Sequence, residues 1–497
     1  MTNQHIWFNI YYMTIMKNRI TTTITTMMLM LFCSSINIFA QSENVVPSGY
    51  PELDEWVKQC KVERPNALGY PGNYDSKLDS FYDWYTQNKM ENILINNAGD
   101  PFGNPSTLSS LKFEREVIES FAPLYGFDLD NLWGLVTMSG TDGNNHGLYF
   151  GVNYLKNKTG KMPIAYVSDE AHYSNYRLCD LQNLDVCMVK SNENGQMIPE
   201  EFEKVLDPTR PCLMIYAMGS TFKGAIDDQT ALNKILDKYP EMEVYRHIDA
   251  ALFGGYLPFT EYKDLVNQKV ANYQSISISG HKFFGIDSPC GLFITSREVY
   301  DNQNSFDVAY LNANMRMINC SRSGVEPLKF WWLLRTVGIE GWTEQATAIM
   351  ENTAYLVSEL TRIGWPCWNN KYSNTVFFKR PDDEIVSKYN LANSYDERFG
   401  GNLSHVVVMQ HVKKEVIDKF IAELEGTMTS TAQVKADATR TDSPEYSLSG
   451  TKVAGRMKPG MVVTTGKKRI VSSFKNISNT TQNSPSSSGH SCTIHEG

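Results

Sequence analysis

From Pro51 to Glu425, apolar runs of strand length alternate with longer segments of helical period. A chain with this alternation has few options besides laying its strands side by side in a mostly parallel sheet covered by the intervening helices. Seven runs, at 132–137, 162–167, 186–189, 212–217, 243–248, 275–279 and 291–295, suit one large sheet. After Leu328-Lys329-Phe330-Trp331-Trp332 a long helical stretch runs to about Arg362, followed by strands at 374–378 and 404–409 and a helix at 413–425. The expected architecture is α/β. A large domain over 111–330 carries the sheet, an N-terminal segment (41–110) precedes it, and a small C-terminal α/β domain (331–426) follows. Residues 427–497 turn to Ser, Thr, Asn, Gly and Lys and read as a low-complexity or hairpin tail, with the hairpin turning at Lys458-Pro459-Gly460.

The first forty residues differ in kind. Met16-Lys17-Asn18-Arg19 precedes a run rich in Thr, Met, Leu, Phe and Ile that closes on Asn37-Ile38-Phe39-Ala40. A basic region, an apolar region and a small residue at a cleavage point make a secretory signal. The apolar run is short of the roughly 20 residues a spanning helix needs. An exported protein with no membrane span after cleavage is expected, and a cytoplasmic one if residues 1–40 are retained. The whole chain is 42% hydrophobic and 20% charged, the composition of a soluble globular protein. A net charge of −9, without a dense Lys/Arg block, argues against nucleic acid or an anionic membrane as partner and favours a small molecule. Nine cysteines without a CxxC pair outline neither a zinc site nor a disulfide framework.

Four segments fall at one edge of the inferred sheet. In Ser279-Gly280-His281-Lys282 a strand delivers a lysine among small residues at its C-terminal end, where open α/β sheets bind ligands. Partial desolvation beside an imidazole disfavours its ammonium form and suits Schiff-base formation with an aldehyde, although such a lysine can also simply reach solvent. Arg246-His247-Ile248-Asp249-Ala250-Ala251 ends a second strand in an acid. Pyridoxal phosphate requires an acid at its ring nitrogen, because only the protonated ring withdraws electrons. Asp249 could equally cap a helix or ligate a metal. Ser139-Gly140-Thr141-Asp142-Gly143 is a Gly-rich strand-to-helix turn whose amides and Thr141 hydroxyl can hold a phosphate. The similar turn Gly219-Ser220-Thr221 could supply hydroxyls to the cofactor's phenolic oxygen or to a substrate. Finally His172, in Ser168-Asp169-Glu170-Ala171-His172, is the candidate for a flat ring stacked on the pyridine.

In order and wording these segments resemble the group II decarboxylases that use pyridoxal phosphate, and are most like bacterial histidine decarboxylases and the similar plant enzymes acting on serine. The likeness runs from about Gly69 to Leu424. It includes Gly69-Tyr70-Pro71, Asn96-Asn97-Ala98-Gly99-Asp100-Pro101-Phe102, Phe113-Glu114-Arg115-Glu116-Val117, Pro289-Cys290-Gly291 and His405-Val406-Val407-Val408-Met409. The resemblance implies fold type I, with pyridoxal 5'-phosphate joined to Lys282 as a Schiff base and Asp249 at the ring nitrogen. It implies His172 over the ring and against substrate, and Gly140, Thr141, Ala251, Ser279 and His281, with Ser220 and Thr221, around the cofactor. It suggests Asn97 and Ser373 as substrate contacts, Tyr310 as general acid, and a homodimer whose active sites lie at the subunit interface. Two segments depart from the family pattern. Ser139-Gly140-Thr141-Asp142-Gly143-Asn144 stands for Gly-Gly-Thr-Glu-Gly-Asn, a conservative change. Cys320-Ser321-Arg322-Ser323-Gly324 stands for Gly-Ser-Arg-Asn-Gly, which puts substrate identity in doubt. The implied reaction is decarboxylation of histidine to histamine. The alternatives are serine (to ethanolamine) or another amino acid, a fold-type I aminotransferase, and a non-catalytic exported relative. An aminotransferase would be expected to keep a small-domain arginine for the substrate carboxylate, and residues 374–380 offer only Arg380.

Overall fold

The computed structural model describes residues 45–103, 108–309, 313–440, 461–464 and 467–470. The leader at 1–40 and Tyr310 lie outside the described residues. The chain divides into two compact units, Met1–Ala67 and Leu68–Gly497. The described part of the first carries one helix, α1 (Pro51–Glu63), opened by a proline where the missing N–H costs nothing.

The second unit holds the sheet. Its strands are β1 (Leu132–Thr137), β2 (Ile164–Ser168), β3 (Asp185–Val189), β4 (Cys212–Ala217), β5 (Val244–Asp249), β6 (Ser275–Ser279) and β7 (Gly291–Ser296). They lie in the order β1-β7-β6-β5-β4-β2-β3. Only β7 runs against its neighbours, pairing antiparallel with both β1 and β6. Along β4, Cys212, Met214 and Tyr216 enter one apolar cluster and Leu213 and Ile215 another. Both faces are thus covered, which is why these strands read as continuous apolar runs.

Among the covering helices are α2 (Leu111–Phe121), α3 (Gly140–Thr159) and α4 (Ser174–Leu181). Helix α3 lies unusually close to β5 and β6. A Cβ at Gly140 would overlap the Ser279 hydroxyl, one at Gly143 the Ser277 hydroxyl, and one at Gly147 the His247 ring. This glycine stripe, at helical spacing, lets the start of α3 meet the ends of β5 and β6.

The long helix expected up to Arg362 is two helices, α5 (Val325–Thr336) and α6 (Gly338–Arg362). Gly338 adopts φ +64°, a left-handed conformation that closes α5 as a C-terminal cap does. After α6 the same unit carries a four-stranded antiparallel sheet, β10-β11-β13-β12, with β10 (Cys367–Asn369), β11 (Thr375–Lys379), β12 (Ala392–Asp396) and β13 (Gly401–Val407). A short pair, β8 (Phe306–Val308) and β9 (Ala313–Met315), precedes it. The last long helix, α7 (Lys414–Arg440), continues past Gly426 into the region expected to be tail. The tail's strand pair, β14 (Met461–Thr464) with β15 (Lys467–Ile470), follows Lys458-Pro459-Gly460 rather than flanking it, a correction to the expected hairpin. Among the described residues, no helix is long and apolar enough to cross a membrane.

Candidate functional site

The parallel strands bring their C-terminal ends to one edge, and four of the predicted segments meet there. Pairing of β5 with β6 continues beyond the strands: Ala250 N donates to Ser277 O (3.0 Å) and Ser279 N to Ala251 O (2.9 Å). Asp249 and the turn bearing Lys282 are therefore neighbours, as the sequence spacing suggested. The Lys282 turn is clasped from outside. Phe283 O accepts from Asn73 Nδ2 (3.0 Å) and Gln410 Nε2 (2.8 Å), and Gly285 O accepts from Ser76 Oγ (2.7 Å). Gly285 sits at φ +73°, a conformation open to glycine at little cost. Burial pushes the Lys282 ammonium pKa down, with the Asp249 carboxylate opposing it. A neutral amine is the nucleophilic form.

Asp249 is buried. Its Oδ2 accepts from Asn175 Nδ2 (2.9 Å) and its Oδ1 from Ala251 N (3.4 Å). Asn175, on the first turn of α4, was not anticipated, because nothing in sequence distinguishes it from any polar residue at a helix start. His172 lies in the turn between β2 and α4. Ser174 N donates to its Nδ1 (3.3 Å), with Ser174 Oγ at 2.7 Å. A backbone N–H can only donate, so the neutral ring carries its proton on Nε2. Burial lowers the His172 pKa; Asp249 opposes this and Lys282 adds to it, so the three groups share one electrostatic field.

Helix α3 starts at Gly140 under an N-cap: Ser139 Oγ accepts from Asp142 N (3.1 Å). The Asp142 carboxylate accepts from Met138 N (2.9 Å) and from Asn319 Nδ2 (2.9 Å), tying the turn to the chain before Arg322. Burial raises the Asp142 pKa, but His146, Met138 and Asn319 together hold it below the usual carboxylate range. A Cβ on Gly140 would also lie 3.5 Å from Ala251 Cβ, so the α3 start, Ser279 and Ala251 form one small-residue cradle. Gly140→Ala should overpack it at a cost of about 1–3 kcal/mol, weakening pyridoxal phosphate binding by about 5- to 150-fold. Equilibrium titration of the apoprotein reads this, and an unchanged Kd would remove Gly140 from the phosphate site. His281 stands beside the cradle with Nδ1 3.1 Å from Cys290 O; burial is the main cause of its lowered pKa.

Other predicted residues have different surroundings. Ser220 Oγ accepts from Ala225 N (3.0 Å) and closes its turn, while Thr221 is exposed. Ser373 Oγ accepts from Thr375 N (2.9 Å) and packs on Gly224 of that same turn. Asn97 is committed elsewhere: its Oδ1 accepts from Ser110 N (2.8 Å) and its Nδ2 donates to Glu114 Oε2 (2.8 Å). These bonds tie Asn97 to the start of α2.

His247, two residues before Asp249, is buried with Nδ1 2.8 Å from Ser275 Oγ and Nε2 3.0 Å from Asn144 Oδ1. Burial pushes its pKa down to about 4, against an ordinary 6.5. The unfolded chain then binds the extra proton first, so stability is complete above pH 6.5 and is lost as pH falls towards 4. The gap is worth about 3 kcal/mol. Urea midpoints between pH 7 and 4.5 should fall more steeply for the parent than for His247→Gln. Equal slopes would show that His247 is not the group responsible.

The arrangement fits pyridoxal phosphate: a helix N-terminus with a cradle too tight for a Cβ, a buried acid held by an amide, and a lysine whose charge is disfavoured. Among the described residues, no group of His, Cys, Asp and Glu is arranged to hold a metal ion.

Comparison with known proteins agrees. A family model described as the pyridoxal-dependent decarboxylase conserved domain matches residues 152–364. Serine decarboxylase 1 of Oryza sativa subsp. japonica is 34% identical over 369 residues, covering 73% of each chain. Histidine decarboxylase of Pseudomonas entomophila is 31% identical over 379 residues, covering 75% of this chain and 89% of that one. In fold the chain is similar to L-methionine decarboxylase from Streptomyces sp.590, with a TM-score of 0.65 at 21% identity over 78% of this chain and 97% of that one. The Lys282–Asp249–His172 edge therefore sits in a fold type I amino-acid carboxy-lyase whose cofactor is pyridoxal 5'-phosphate, and the chain belongs to the pyridoxal-dependent decarboxylase family.

Proposed function

We propose that the substrate is L-histidine and the product histamine, with Lys282 as the Schiff-base lysine. The observation that carries the site assignment is the meeting of a charge-disfavoured Lys282, the buried Asp249 and the neutral His172 at one sheet edge. When bound, the cofactor supplies a protonated ring that draws electrons from the bond being broken. Asp249 holds the proton at the ring nitrogen, and Asn175 fixes the carboxylate's orientation. His172 would lay its flat ring on the cofactor, with its Nε2 proton available to the substrate. The amides of Gly140 and Thr141, with Ser279 and His281, take the phosphate. The Thr221 hydroxyl, and the O–H of Ser220, serve the phenolic oxygen. Tyr310 is the proposed general acid. The small-domain arginines are already engaged, Arg380 with Asp383 (2.6 Å) and Arg398 with Asp396 (2.8 Å), which favours loss of CO₂ over the carboxylate clamp of transamination.

Histidine is favoured by the histidine decarboxylases, which match along 89–97% of their length in Pseudomonas entomophila, Morganella morganii and Mesorhizobium japonicum. Serine is the second reading because the rice serine decarboxylases reach 33–34% identity. We further propose a homodimer and export through residues 1–40. The test is CO₂ and amine release by the cofactor-loaded protein across histidine, serine, methionine, glutamate and aromatic amino acids. A highest kcat/KM on histidine supports the proposal, and ethanolamine as the preferred product replaces it with serine. A one-chain mass in sedimentation overturns the dimer. An N-terminus retained at residue 1 after expression in a secreting host overturns export.

A further inference from the structure

We propose that Lys223, Glu170, Asp396 and Arg398 form a positioning unit that holds the His172 segment through the small domain. It rests on the reading that His172 faces the cofactor. Lys223 is 2% exposed, and its Nζ lies 2.7 Å from Glu170 Oε1 and 2.6 Å from Asp396 Oδ2. Arg398 closes the group: its Nε donates to Asp396 Oδ1 (2.9 Å), one terminal nitrogen to Asp396 Oδ2 (2.8 Å) and to Glu170 Oε1 (3.4 Å), and the other to Ser191 O (3.2 Å). Two cations balance two carboxylates. The Asp396 carboxyl is held well below the usual range because Arg398 and Lys223 together outweigh its burial.

The four residues come from three separate places. Glu170 follows β2 and stands two residues before His172, in a turn where Glu170 N donates to Ser168 Oγ (3.2 Å) and Ala171 N to Ser168 O (3.0 Å). Lys223 belongs to the Ser220 turn after β4. Asp396 and Arg398 come from the end of β12 in the small domain. The small domain also grips the Ser220 turn, where Asn370 Nδ2 donates to Lys223 O (2.9 Å) and the His405 ring stacks on Phe222 at 4.7 Å. A buried ammonium shared by two carboxylates fixes the distance between them, because loss of either leaves charge uncompensated away from water. The tether from Glu170 to His172 is short and hydrogen-bonded, so a shift of the small domain is transmitted to the imidazole. A simple brace would stabilise the fold without reaching His172.

The test uses the cofactor-loaded full chain and compares the parent with Asp396→Asn and Lys223→Met, all at a temperature where far-UV circular dichroism shows them folded. The expected result is an altered induced circular dichroism of the bound cofactor's visible band, with kcat lowered about tenfold and the KM changed by less than threefold. Lys388→Met breaks a surface pair with Glu423 and a contact with the Tyr389 ring, neither of which touches the cluster, and should leave the band unchanged. If Lys223→Met does not fold, Asp396→Asn decides. A band and a cofactor Kd within twofold of the parent in the folded variants overturn the proposal and leave a structural brace. If the loaded protein decarboxylates no amino acid, the proposed substrate falls, while the dichroism still decides the positioning unit.

Discussion

Lys282→Ala is expected to lower kcat for CO₂ release by at least about 10⁴-fold and to remove the visible absorbance of the cofactor–lysine linkage. General acid–base assistance alone contributes about 10²–10⁴-fold, and a Schiff-base lysine adds covalent attachment to it. Burial destabilises the ammonium of Lys282, and the Asp249 carboxylate limits the effect. Lys282→Arg should not restore activity, because a guanidinium stays protonated in proteins. Single-turnover CO₂ release from variants saturated with cofactor separates the chemical defect from weaker binding. Turnover within tenfold of the parent in Lys282→Ala would mean that a different amine carries the linkage.

The largest expected stability effect lies away from the chemistry. One terminal nitrogen of Arg322 donates to both oxygens of Glu114, at 3.0 and 2.9 Å, and both side chains are almost wholly buried. Glu114 also accepts from Val136 N (2.8 Å) in β1 and from Asn97 Nδ2. Arg322→Met would strand a buried carboxylate and should cost about 3–5 kcal/mol, read as a lower urea midpoint. Adding Glu114→Gln should recover part of the loss, since the two residues are coupled and their separate costs do not add. A loss below about 1 kcal/mol would show that the pair contributes little.

Much of the large sheet was legible because burial on both faces leaves an unbroken apolar signature. Strands β1, β4 and β6 run as their residue types suggest, and β2 begins at Ile164, just after Pro163, which lacks the N–H a ladder needs. Strands β10 and β12 were not legible, since β10 is only three residues long and β12 is largely exposed, and Ala392-Asn393-Ser394-Tyr395-Asp396 carries no apolar alternation. The break at Gly338 was hidden inside an otherwise continuous helical pattern. Lys282, Asp249, His172 and the Gly140 turn could be expected at one edge because each ends a strand, follows one within four residues or opens a helix. Asn175 on Asp249, Asn73 and Gln410 on the Lys282 turn, and the Lys223 cluster could not. Apart from Arg398 and Asp396, two positions apart, their partners lie 53 to 228 residues away along the chain, as with Lys223 and Glu170 or Arg398 and Glu170. By itself the sequence determined the order of elements, the edge that carries the chemistry and the cofactor it suits, because these follow from local periodicity and from residue types at strand ends. Only the tertiary structure decided which distant polar groups meet, because a buried hydrogen bond or ion pair depends on how the elements pack, and packing leaves no local trace in the chain.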